Sequence, residues 1–149
     1  MAINRDYVGR RFEAADPYEV SRVKIADFAR AIGDPNPIYR DRAAAQAAGF
    51  PDVIAPPTFA IVISMAGSSA ALADPGLGIN YAMVVHGEQR FEYARQLLAG
   101  DVVTAQTTIS DIRDAGRNTL LTTSTEIRTV EGELVCTAYS TIAERGGAA

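Results

Sequence analysis

The amino-acid sequence predicts an α+β fold in which an antiparallel sheet wraps round one buried helix. Three observations carry this. Residues 56–74, PPTFAIVISMAGSSAALAD, are apolar or small on every side of a helix, and a helix apolar all round is a buried one. From Tyr81 onward the chain turns to β-branched runs separated by Gly-centred turns, the pattern of antiparallel strands. Ahead of the apolar segment, short helical patterns alternate with polar loops.

Taken in order, Ser21 can cap a first helix running to about Ile32. Ile25, Phe28, Ala29 and Ile32 then share one face at helical spacing, and Gly33 ends it. Asp41 caps a second, short helix, RAAAQAA, which Gly49 closes. In the apolar segment Pro57 belongs in the first helical turn, where its missing N–H is harmless. Ala60, Ser64, Gly67, Ser68 and Ala71 would let a sheet come close. Gly67 costs roughly 1 kcal/mol inside a helix, so it should have a packing reason. The strands are VVHGEQRFEYAR, DVVTAQTTISDIR, NTLLTTSTEIRT and LVCTAYSTIAE, the last three joined by turns DAGR and VEGE, an antiparallel meander. The tail ERGGAA should fray. Long strands and one central apolar helix make a hot-dog architecture, expected as one domain over residues 1–149.

The chain has 149 residues, a size that suits one core. Its hydrophobic content of 48% argues against disorder. Net charge is −4, and the basic residues form no stripe of the kind that binds nucleic acid. The single cysteine, Cys136, reads as a buried strand residue. With no internal disulfide possible, a reducing cytoplasm is the expected home. No apolar run reaches the roughly 18 residues that suggest a membrane span, and the first residues lack a secretory pattern. One His and one Cys cannot make the usual metal cluster, and no dinucleotide or phosphate loop is present, so neither metal nor cofactor is expected.

The segment GDPNPIYRDRAAAQAAGF, residues 33–50, resembles the hydratase motif of the MaoC-like (R)-specific hydratases and dehydratases. Gly33, Asp34, Asn36, Pro37, Ile38, Asp41, Gly49 and Phe50 all match in register. The opening VGRRFEAADPYEVSRVKIADFARAIGD, the IAPPTF segment and VVHGEQRFEYARQLLAGD resemble the N-terminal dehydratase-domain branch of that family. That branch includes the A- and C-type subunits of the mycobacterial (3R)-hydroxyacyl-ACP dehydratase. One position departs: where catalytic members carry His, this chain has Tyr39.

The resemblance implies addition of water to C3 and a proton to C2 of an enoyl thioester, or the reverse. Such a site needs a base, an acid and an oxyanion donor. In the family, Asp and His five positions apart flank one water, and the N-terminus of the central helix faces the thioester carbonyl. A His near pKa 6.5 serves either proton role at neutral pH. A Tyr near pKa 10 is ionised in only about one molecule in a thousand at pH 7. Tyr39 therefore marks a degenerate site, with Asp34 and Asn36 its remaining members. Asp34 reads equally as a loop aspartate capping backbone amides, and Asp41 as a helix cap.

On the substrate side, Pro57, Thr58 and Phe59 stand where helix N–H groups would meet the carbonyl. Thr58 can cap or contact ligand. His86, the only histidine, belongs either to a strand edge or to an acyl or pantetheine channel. The implied function is a subunit of a (3R)-hydroxyacyl-thioester dehydratase or enoyl-thioester hydratase. It would hold an acyl-CoA or acyl-ACP chain while a second, His-bearing hot-dog subunit supplies catalysis. Alternatives are a self-sufficient homodimeric hydratase, a non-catalytic acyl-thioester binding protein and, less favoured, a thioesterase.

Overall fold

The computed structural model describes residues 2–14 and 16–148. The chain runs through a 3-10 turn (Arg5–Tyr7), β1 (Arg11–Glu13), β2 (Tyr18–Glu19), α1 (Arg22–Ala31), a second 3-10 turn (Pro37–Tyr39) and α2 (Arg42–Ala47). Then come α3 (Ala60–Leu72), a third 3-10 turn (Tyr81–Met83), β3 (Val84–Tyr93), β4 (Val102–Ala115), β5 (Asn118–Thr129) and β6 (Leu134–Glu144). The sheet order is β1-β4-β5-β6-β3, with β2 also on β4, and every pairing is antiparallel. This is the α+β hot-dog fold.

The helical caps form as their residue types dictate. Ser21 Oγ accepts from the Lys24 amide at 3.1 Å, and Asp41 Oδ1 from the Ala43 amide at 2.9 Å. Ile25 and Ala29 are buried on α1 and Phe28 is half-buried. Ile32, expected on the same face, is exposed, because α1 ends one residue earlier and Ile32 is its cap.

Strand β5 alternates without a break, with Thr119, Leu121, Thr123, Thr125, Ile127 and Thr129 turned inward. Gly67 sits where α3 comes closest to this sheet. A Cβ there would lie 2.8 Å from Ala105 Cβ and 3.0 Å from Thr107 Oγ1. That close approach is its packing reason. Cys136 is fully buried, and burial pushes its thiol up to about 11.

Four expectations need correction. The meander holds for β4, β5 and β6, but β3 lies beyond β6. No tight turn links β3 to β4; residues 94–101 instead cross the sheet end, where Ala55 donates to Leu97 O and Ala99 to Val53 O. Strands β1 and β2 were not foreseen, since RFE and YE are too short and polar to show a strand period. The tail is tied down as far as Ala148, whose amide reaches Arg117 O at 3.3 Å, and Arg145 bonds Met83 O; residue 149 lies outside the described residues. Finally, α3 is not sheathed all round. Met65 is 61% exposed, and Ala66, Ser69 and Ala70 also face outward. The sheet curls past one side of α3 only and leaves the other flank open.

Candidate functional site

The motif loop is built by local hydrogen bonds. Gly33 takes a positive φ of 73° to turn the chain out of α1. Asp34 Oδ1 then accepts from the Asn36 amide at 3.0 Å, and Asn36 Oδ1 from the Ile38 amide at 3.2 Å. Pro37 opens the turn that carries Tyr39. The Asp34 and Asn36 side chains thus serve as successive turn caps. The loop is anchored to the segment before α3 by the Ile54 amide on Ile38 O at 3.3 Å.

Tyr39 is 6% exposed and belongs to the same core cluster as Ala55, Phe59 and Ala60. Its phenol is raised above the usual tyrosine value, first by burial and then by the negative charge of Asp34. Asp34 is half-buried. The loop therefore does bring these two groups within electrostatic reach, and it holds the phenol protonated.

At the head of α3 the helix begins at Ala60, so Pro57 precedes its first turn. Pro57 and Thr58 are exposed, and no side chain caps the helix, Thr58 included. The approach is instead a run of tight turns, Phe59 N–H to Pro56 O and Ile61 N–H to Thr58 O. Phe59 is fully buried, edge-on to Phe28 at 5.3 Å, and presents no surface to a ligand. Tyr93 of β3 reaches this point and donates to Pro57 O at 2.6 Å. Burial, followed by the neighbouring Cys136, raises the Tyr93 phenol strongly.

A groove of about 410 Å³ runs along the open flank of α3, between the helix and strands β3, β5 and β6. Its lining includes Ser64, Met65, Ser68, His86, Gln89 and Ser140, and none of Asp34, Asn36, Tyr39, Pro57, Thr58 or Phe59. His86 lies at a bulge in the edge strand β3. Its Nε2 is 3.2 Å from both Gln89 Oε1 and Ser140 Oγ. The structure so separates two sets of sequence-predicted residues, the motif loop and the groove histidine. Sequence reasoning missed Gln89 and Ser140. They face one another across the β3–β6 pairing, which is the pairing a simple meander would not have. Among the described residues no group of three or more His, Cys, Asp or Glu could hold a metal, and no helix is long and apolar enough to cross a membrane.

Comparison with known proteins gives one consistent result. The family model described as "FAS1-like, dehydratase domain region" matches residues 6–138. A UPF0336 protein of Thermobifida fusca is 57% identical over 148 residues, which span 99% of this chain and 97% of that one. Among solved structures, a MaoC-like dehydratase superposes with a TM-score of 0.86 at 29% identity, covering 93% of this chain but only 42% of the other. The C-terminally truncated HadBC (3R-hydroxyacyl-ACP dehydratase) complex of Mycobacterium tuberculosis gives a TM-score of 0.84 at 25% identity, over 93% of this chain and 97% of that one. The ChsH1–ChsH2 complex of the same organism gives 0.70 at 26% identity, over 91% and 87%.

Proposed function

Because the chain belongs to the MaoC-like hot-dog dehydratases, through the FAS1-like dehydratase region and the UPF0336 proteins, we propose that it is one subunit of a (3R)-hydroxyacyl-thioester dehydratase or enoyl-thioester hydratase. In this reading it works as a single hot-dog domain over residues 1–149 in the cytoplasm. It holds the acyl chain of an acyl-CoA or acyl-ACP while a second hot-dog subunit, bearing His at the motif position, does the proton chemistry.

The observation that carries the proposal is the buried, protonated Tyr39 beside Asp34. Hydration needs a group that takes a proton from water and one that returns a proton to C2. A phenol raised above its usual value cannot take the proton from water near pH 7, so Tyr39 cannot be the base that His supplies. Asp34 and Asn36 then keep the loop in shape, and Pro57 and Thr58 offer the one exposed stretch at the head of α3. His86 joins the substrate side through the groove.

A partner is supported by two surfaces. Strand β3 is a ten-residue edge with no strand on its free side among the described residues, and long open edges want covering. Beside it lies the open flank of α3, with exposed Met65 and Tyr81. The HadBC and ChsH1–ChsH2 neighbours are themselves complexes.

The test is hydration of a short trans-2-enoyl-CoA, first by this chain alone and then by the chain co-purified with a hot-dog subunit carrying the motif His. Asp34→Asn runs beside each. We expect silence alone and activity in the pair, insensitive to Asp34→Asn. Activity of the lone chain, abolished by Asp34→Asn, would establish the self-sufficient hydratase instead.

A further inference from the structure

We infer that the groove accepts an acyl chain carrying an oxygen function about ten to twelve bonds from the thioester, read by His86, Gln89 and Ser140. This rests on the acyl-thioester reading above and narrows its substrate class.

The groove surface is mostly apolar, as an alkyl chain requires. Hydroxyls also line its α3 and β5 walls, but those of Ser64, Ser68 and Ser69 bond carbonyls of their own helix and that of Thr125 bonds Thr107. Gln89, Ser140 and His86 cluster on one stretch of the β3–β6 pairing. The cluster is under-satisfied. Gln89 Oε1 faces His86, while its Nε2 is buried with no partner among the described residues. Turning the amide over would only exchange an unpaired donor for an unpaired acceptor. Buried polar atoms in folded proteins normally have partners, so the unpaired Gln89 nitrogen points to a group that the cluster meets when a ligand lies in the groove. A ligand hydroxyl or carbonyl supplies what is missing. It can accept from the amide and bond the imidazole and the Ser140 hydroxyl in either direction. A purely aliphatic chain supplies none of this.

The position along the chain follows from the register. Tyr93 marks the head of α3, through its bond to Pro57 O. Gln89 is four residues back along the same strand, about 13 Å at 3.3 Å per residue. An extended chain advances about 1.2 Å per bond, as an extended polypeptide does with three bonds in about 3.5 Å. A thioester carbonyl at the head of α3 thus brings an atom about ten to twelve bonds down its chain level with Gln89 and Ser140. His86, three residues further along β3 at the bulge, joins them through its Nε2, 3.2 Å from both Gln89 Oε1 and Ser140 Oγ.

Binding of CoA esters to the full-length chain tests this directly, by calorimetric titration with dodecanoyl-CoA, 12-hydroxydodecanoyl-CoA and 6-hydroxydodecanoyl-CoA. We expect the 12-hydroxy ester to bind about tenfold tighter than the other two. In Ser140→Ala and in His86→Phe that preference should shrink toward one. Binding of all three with equal affinity overturns this inference and leaves the acyl-thioester reading standing. Binding of none of them overturns the acyl-thioester reading itself, and the inference with it. A preference that survives in both variants overturns the assignment to these residues.

Discussion

The loop over residues 33–41 and the groove beside α3 both hold polar side chains against the same central helix, and they treat them differently. In the loop, Asp34, Asn36 and Asp41 each accept a backbone amide two residues on, and Tyr39 fills the core. In the groove, His86, Gln89 and Ser140 bond mainly to one another, and one Gln89 atom is left over. The loop is where the family likeness is strongest, yet its side chains are occupied with folding. The groove carries no motif, yet it is where polarity is left free for a ligand. Matching a motif and keeping its chemistry are separate properties of a chain.

Substitutions of the buried residues Phe59, just before α3, and Gly67, within it, should act on stability rather than binding. Phe59→Ala removes a fully buried ring packed on Phe28 and Tyr18, and should cost about 4 kcal/mol of unfolding free energy in urea titration. A loss below about 1 kcal/mol would mean that Phe59 is not the core residue described above. Gly67→Ala sets a gain of about 1 kcal/mol in helix propensity against overpacking of about 1–3 kcal/mol. With the new Cβ 2.8 Å from Ala105, whose Cβ is fixed to its strand, the packing term should prevail. A net loss of about 1 kcal/mol is expected.

A third, smaller effect depends on pH. Arg22 grips Asp52 with two of its guanidinium nitrogens, Nε at 3.0 Å and Nη2 at 2.6 Å, joining α1 to the segment that leads into α3. The Arg22 hydrogen bond is the largest cause that brings the Asp52 carboxyl from 3.8 down to about 2. A lowered carboxylate stabilises the fold above about pH 4, and that contribution disappears as pH falls toward 2. Arg22→Ala should therefore lower the urea midpoint at pH 7, and the gap between variant and parent should close in acid. A gap that is constant with pH would assign the loss to packing of the arginine stem instead.

How much of this was legible in the sequence follows from how local each signal is. The ends of β5 and β6 were given by Gly-centred turns on either side, and the caps of α1 and α2 by Ser21 and Asp41, since each depends on residues a few positions apart. The place of β3 beyond β6 depends on a crossover through residues 94–101, whose partners are Val53 and Ala55, and no short pattern encodes that. The same limit hid the groove. Gln89 and Ser140 meet only because β3 chose β6 as its neighbour. The composition of α3 was read as burial on every side, but composition does not say whether one chain or two provides the cover.

The smallest expected effect bears most directly on the loop. Tyr39→Phe deletes only the hydroxyl, and no hydrogen bond from that hydroxyl exists among the described residues. The net value of a typical hydrogen bond is about 1 kcal/mol, so removing a hydroxyl that makes none should change stability by about 0.5 kcal/mol or less. If Tyr39 is a packing residue in a subunit that leaves the chemistry to its partner, the hydration rate of the pair should also be unchanged. If the phenol instead serves as a proton donor, stability would be just as unaffected, but the rate should drop by about 100-fold, the lower end of what a general acid contributes. Stability alone cannot separate these two cases, whereas the rate of the assembled pair does. The contrast between loop and groove survives only if that rate holds.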